Sequence, residues 1–143
     1  MLGHHDFLLG QYASALACYE VVIRWGAPSK AVRKRAIVCY IQTGQPEKAL
    51  PLFKALVEED APYILEHNDN LNGCPCPVII QKFVNTIRNP ITQADRIALG
   101  VLWSYSDLHL ALLWFNKALQ QAPENSSLKA IIAGLSSQTV MVS

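Results

Sequence analysis

Ala15, Leu16, Tyr19, Val22 and Ile23 fall at spacings of three and four, which lays one apolar stripe along a helix. Leu50, Phe53, Leu56 and Val57 form the same stripe again further along. The echo is not confined to apolar positions: Gly10, Gln11, Ala15, Leu16, Ala27 and Pro28 recur as Gly44, Gln45, Ala49, Leu50, Ala61 and Pro62, each 34 residues on. A unit of that length is a helical hairpin, too small to cover its own apolar face, so it must stack on neighbours.

The first hairpin spans about 2–28, with Leu9-Gly10-Gln11 as its turn. The second spans about 29–62: Ser29 is a helix N-cap, Gly44 ends the first helix in a left-handed conformation, and Pro46 opens the second at a favoured first-turn position. Pro51 lies past that turn and removes a helical hydrogen bond, so a bend is expected there. After Pro62 the register slips. A short helix from Tyr63 to Asn70 stops at Asn72-Gly73, a Cys74-Pro75-Cys76-Pro77 loop follows, and a helix from Val78 to Arg88 ends before Asn89-Pro90, giving a degenerate third unit over 63–90. Thr92 and Asp95 make a capping-box start for a helix to about Tyr105; Ser106 or Asp107 caps the next, which ends near Ala122-Pro123 and closes a unit over 91–123. A capping helix over about 126–135 completes a single domain over 1–135, and residues 136–143 read as a flexible tail.

Composition narrows the function classes. The 143 residues are 51% hydrophobic and 16% charged, apolar enough that some faces are expected to be covered by other helices or partners. A formal net charge of +1 is too small for a nucleic-acid footprint. His4, His5 and Asp6 interrupt any secretory leader, and Ser104, Ser106, Asp107 and His109 interrupt the best membrane candidate, Val101 to Phe115. A soluble cytoplasmic protein with no membrane insertion is the expectation. Cys18 and Cys39 fall on helices among apolar neighbours and read as buried free thiols. Cys74 and Cys76, with His67 upstream, have the spacing of a metal or redox seed, but they are three ligand candidates where zinc usually takes four.

The residues resemble the tetratricopeptide repeat family. Its alanine-x3-aromatic element stands three times, as Ala15 with Tyr19, Ala49 with Phe53 and Ala111 with Phe115, followed by Pro28, Pro62 and Pro123; its Leu-Gly-x2-aromatic element is intact as Leu99, Gly100 and Trp103. A small residue lets two helices approach and the aromatic one turn on fills the gap. The resemblance implies an all-α, right-handed solenoid of about three to four hairpins plus a C-terminal capping helix. It also implies a concave groove lined by the first helix of each unit. That places on the groove side His4 and Phe7; Lys34, Arg35, Val38, Ile41 and Gln42; Asn68 and Asn72; and Val101 and Tyr105. The chaperone-binding adaptors of the family clamp a terminal carboxylate, but Val38 and Asp69 stand where that clamp wants amides.

Arg33-Lys34-Arg35 is the densest positive run and suits an acidic segment, or else a solvated helix face. No serine or cysteine sits in a nucleophile motif, and there is no glycine-rich phosphate loop, so the chain reads as no enzyme and needs no cofactor. His109 reads as a surface position. Trp103 fits the interior of its unit, while Trp25 and Trp114 read as core residues or as exposed anchors of a partner surface. The function expected is recognition of a protein or peptide partner, with a client-holding chaperone and a self-assembling homo-oligomer as alternatives.

Overall fold

The computed structural model describes residues 3, 6, 9–26, 28–65, 76–86 and 91–142. Among them run seven helices and no strand: α1 (Tyr12–Trp25), α2 (Lys30–Gln42), α3 (Pro46–Leu65), α4 (Cys76–Thr86), α5 (Gln93–Ser104), α6 (Leu108–Gln121) and α7 (Ser126–Val142).

The repeat is visible in the backbone before it is visible in the packing. Gly10 and Gly44 both take φ +78°, a left-handed conformation that strains any residue with a Cβ. The amide after each bonds back five residues, Gln11 N–H to the Asp6 carbonyl at 2.8 Å and Gln45 N–H to the Tyr40 carbonyl at 2.7 Å. The same helix-ending turn, with its wide hydrogen bond, is therefore built twice, 34 residues apart. The starts are equally local in origin. Ser29 accepts the Val32 N–H at 3.2 Å, Asp107 the Leu110 N–H at 3.1 Å, and Asn125 the Leu128 N–H at 3.0 Å. Thr92 and Asp95 form the full reciprocal capping box, both bonds at 3.1 Å.

The three alanine-x3-aromatic pairs are all fully buried, and they make the spine of the core. Phe53 stacks on Phe115 with ring centroids 5.7 Å apart and meets Tyr105 edge-on at 6.3 Å. This aromatic trio joins the second hairpin (α2, α3) directly to the hairpin of α5 and α6. Contacts follow the same order: α1 on α2, α2 on α3, α3 on α5, α5 on α6, and α7 closing over both α3 and α6.

Three features depart from the expectation drawn from sequence. The hairpin of residues 91–123 packs directly on 29–62, α5 on α3, and α4 packs on α5. Pro51 does not break α3. It lies on the exposed side with Glu47, and the non-helical residue is Asp60 (φ −160°, ψ 74°). The Asp60 carboxylate accepts the Tyr63 N–H at 3.3 Å and restarts the helix, placing Pro62 in a tolerated first turn. Lastly, the helix expected to close at Leu135 runs on to Val142, so most of the tail is helical rather than free.

Candidate interaction surface

The positive run at the start of α2 disperses once folded. Arg33 donates from both terminal nitrogens to Glu59, at 2.6 and 3.1 Å. Lys34 is only 3% exposed, its ammonium 4.8 Å from the centroid of the Tyr105 ring. Arg35 lies beside the Tyr19 hydroxyl; burial pushes that phenol up to about 12, against the lowering effect of Arg35. Lys30 bonds Asp60 at 2.6 Å, and Lys54 bonds Glu58 at 3.1 Å. Side chains one residue apart on a helix point about 100° from each other, so a dense run in sequence becomes three separate contacts. The acidic run Glu58-Glu59-Asp60 supplies most of the partners.

Among the described residues, most of the groove positions expected from the family resemblance are interior. Val38, Val101 and Tyr105 are wholly buried and Ile41 nearly so. Lys34, Val38 and Ile41 lie on α2, which is sandwiched: Ala36 to Ile41 are all buried, with α1 and α3 both packed on this helix, while Val101 on α5 and Tyr105 at its C-terminal cap are buried where α5 meets α3 and α6. Arg35 and Gln42 are half-buried and keep some access to solvent. His4, Phe7, Asn68 and Asn72 lie outside the described residues, as do His67 and Cys74; Cys76 opens α4.

An open cleft is found on the other side, between the last turns of α1 and the first turns of α3. It encloses about 530 Å³ and is lined by Glu20, Ile23, Arg24, Tyr40, Glu47, Lys48, Pro51 and Leu52. Ile23, Tyr40, Pro51 and Leu52 make an apolar floor, while two acids and two bases stand around it, the pattern of a site that takes apolar side chains and orients them by charge. The Tyr40 hydroxyl donates to Glu20 at 3.0 Å, and burial followed by this carboxylate raises the phenol above its ordinary value. These residues were not singled out from sequence, since the family resemblance directs attention to first helices.

A smaller hollow of about 280 Å³ is lined by Ile91, Arg96, Trp114, Lys117, Gln120 and Gln121. The Lys117 ammonium lies 4.9 Å from the Trp114 ring centroid, and Arg96 donates to Gln93 at 3.4 Å. Trp103 and Trp114 are half-buried, but Trp25 is 79% exposed and so is not a core residue. His109 is exposed. Cys39 is fully buried, which pushes its thiol up to about 12; Cys18 is half-buried. Among the described residues, no group of three or more His, Cys, Asp or Glu is placed to hold a metal ion, and no helix is long and apolar enough to cross a membrane.

Comparison with known proteins locates the repeat. Residues 7–64 match the family model described as Tetratricopeptide repeat. No curated protein and no solved structure matches the chain. The match covers both turns built on Gly10 and Gly44 and two of the three buried alanine-aromatic pairs. Repeats of this family serve in general as scaffolds for protein–protein interaction.

Proposed function

We propose that this chain, which carries a tetratricopeptide repeat over residues 7–64, is a non-catalytic interaction module that takes an apolar segment of a protein partner into the cleft between α1 and α3. The observation that carries this reading is the cleft itself: an apolar floor open to water, ringed by Glu20, Arg24, Glu47 and Lys48, beside a repeat scaffold that holds its walls rigid. Ile23 and Leu52 supply contact area, and the alternating charges set the direction of the bound segment. Lys34 acts within the core, and Arg35 and Gln42 stand apart from this site. The interior position of α2 supports a site made by second helices over one made by first helices.

The test is affinity capture from a native lysate with the wild-type chain and with an Arg24→Glu/Lys48→Glu variant whose helicity is checked by circular dichroism. A protein held by the wild type and lost by the folded variant is the expected result. Retention of the same protein by the variant rules the cleft out as its binding site.

A further inference from the structure

Lys30, Arg33 and Lys54 each meet a carboxylate, and the cleft between α1 and α3 sets two acids beside its two bases. The hollow of about 280 Å³ against α5 and α6 is built otherwise. Arg96 and Lys117 both line it, with Ile91, Trp114, Gln120 and Gln121, and among the described residues no carboxylate does. The acids nearest in sequence stand aside: Asp95 accepts the Thr92 N–H within the capping box, and Glu124 lies exposed beyond the end of α6. Both cations are held in place. Gln93 donates to the Ala118 carbonyl at 2.7 Å, tying α5 to α6, and its own side-chain oxygen accepts from one terminal nitrogen of Arg96 at 3.4 Å. That leaves the rest of the guanidinium fork for a ligand. The Lys117 ammonium is kept 4.9 Å from the centroid of the Trp114 ring.

We infer that this hollow binds the phosphate monoester of a phosphorylated tyrosine on a protein partner. A guanidinium, an ammonium and two side-chain amides line one space with no carboxylate among them. Their complement is a compact, acceptor-rich group carrying two negative charges. A phosphate monoester has about −1.5 to −2 charge at pH 7, whereas a carboxylate has only a single charge to set against two cations. The Arg96 fork matches the spacing of phosphate oxygens, and Lys117 adds a point charge beside it. The remaining walls, Ile91 and Trp114, are apolar, and the hollow is larger than a bare tetrahedral anion needs. The group that carries the phosphate therefore enters too, and an aromatic ring is the carrier that packs on those walls. A protein is the source this scaffold favours, since repeats of the matched family serve in general in protein–protein interaction. The inference stands apart from the cleft reading, because the hollow and the cleft share no lining residue.

Isothermal titration calorimetry of the full chain tests it, with a short capped peptide whose only charged residue is phosphotyrosine. The same peptide with tyrosine, sulfotyrosine or phosphoserine at that position, and inorganic phosphate, are the comparisons. The phosphotyrosine peptide is expected to bind at least about tenfold more tightly than any of them, because only it joins two charges to an aromatic ring. Arg96→Gln and Lys117→Gln, with helicity checked by circular dichroism, should each weaken it about tenfold or more. Lys129→Gln removes the same charge from an exposed position of α7 outside the hollow and should leave binding unchanged. Several results would overturn the inference: no binding of the phosphotyrosine peptide, a folded Lys117→Gln chain that binds as the wild type does, or an equal loss in Lys129→Gln. Equal affinity for the sulfotyrosine or phosphoserine peptide would do the same, as would equal affinity for inorganic phosphate, which marks an adventitious ion only.

Discussion

Gly100→Ala puts the close contact of α5 and α6 to a direct test. A Cβ built at Gly100 lies 2.8 Å from two carbons of the Phe115 ring, against the 3.5–4.0 Å or so of an ordinary carbon contact, so the ring must retreat by roughly 1 Å. It has little room: Phe115 is fully buried and stacked on Phe53, which is itself set against Tyr105. Overpacking of this kind costs about 1–3 kcal/mol, while replacing a mid-helix glycine with alanine returns about 1 kcal/mol. The net expectation is a loss of up to about 2 kcal/mol, read by urea denaturation with an unchanged m-value. In a Phe115→Leu background the obstruction is gone, and the same Gly100→Ala change should be neutral or stabilising by up to about 1 kcal/mol. A Gly100→Ala chain that gains stability in the wild-type background, or loses equally in both, would refute the packing argument.

Three further expectations concern charge and burial. Hydrogen bonds from Lys30 and Arg33 hold the Asp60 and Glu59 carboxyls below their ordinary values of 3.8 and 4.5. Because the folded values are the lower ones, the stability these pairs add is present above the ordinary carboxylate range and is lost as pH falls through the folded values; a Glu59→Gln/Asp60→Asn chain should show a shallower decline of stability with acid in the same titration. Lys34 is a cation in the core with an aromatic face and, among the described residues, no carboxylate; Lys34→Met should be neutral or stabilising by about 1 kcal/mol in thermal denaturation, and a large loss would show that its buried charge contributes to stability and contradict this expectation. Burial and a thiol raised to about 12 make Cys39 slow toward thiol reagents at neutral pH; peptide mapping should show Cys18 labelled first and Cys39 labelled only on unfolding, and equal rates would contradict the core placement.

How far the sequence could be read depended on how local each feature is. The turns at Gly10 and Gly44, the Ser29 cap and the Thr92–Asp95 box depend on residues within five positions of one another, and each is present as the residue types required. The alanine-aromatic pairs at Tyr19, Phe53 and Phe115 were legible because they carry both period and size. Exposure was less legible. Val38 and Tyr105 look like lining residues on a single helix and become interior once α2 has neighbours on two sides and the end of α5 meets Phe53, facts set by which helices meet rather than by any local signal. Nor does chain order announce that the hairpin at 91–123 meets the second hairpin directly, through Phe53 and Phe115. Ser136 to Thr139 favour caps and turns over helix interiors, yet α7 continues through them, carried on from a segment that is already helical and packed over α3. The cleft was missed because none of its residues is unusual alone; it forms only where α1 and α3 stand on either side of Tyr40 on α2.

The central claim is that the cleft between α1 and α3 is where a partner binds. Carbene footprinting of the captured complex, read residue by residue against the free chain, tests it most directly. The account expects labelling to fall at Arg24, Lys48 and Leu52 while Arg35 and Gln42 are unchanged. Protection confined to Arg35 and Gln42, with the cleft residues labelled as in the free chain, would contradict it.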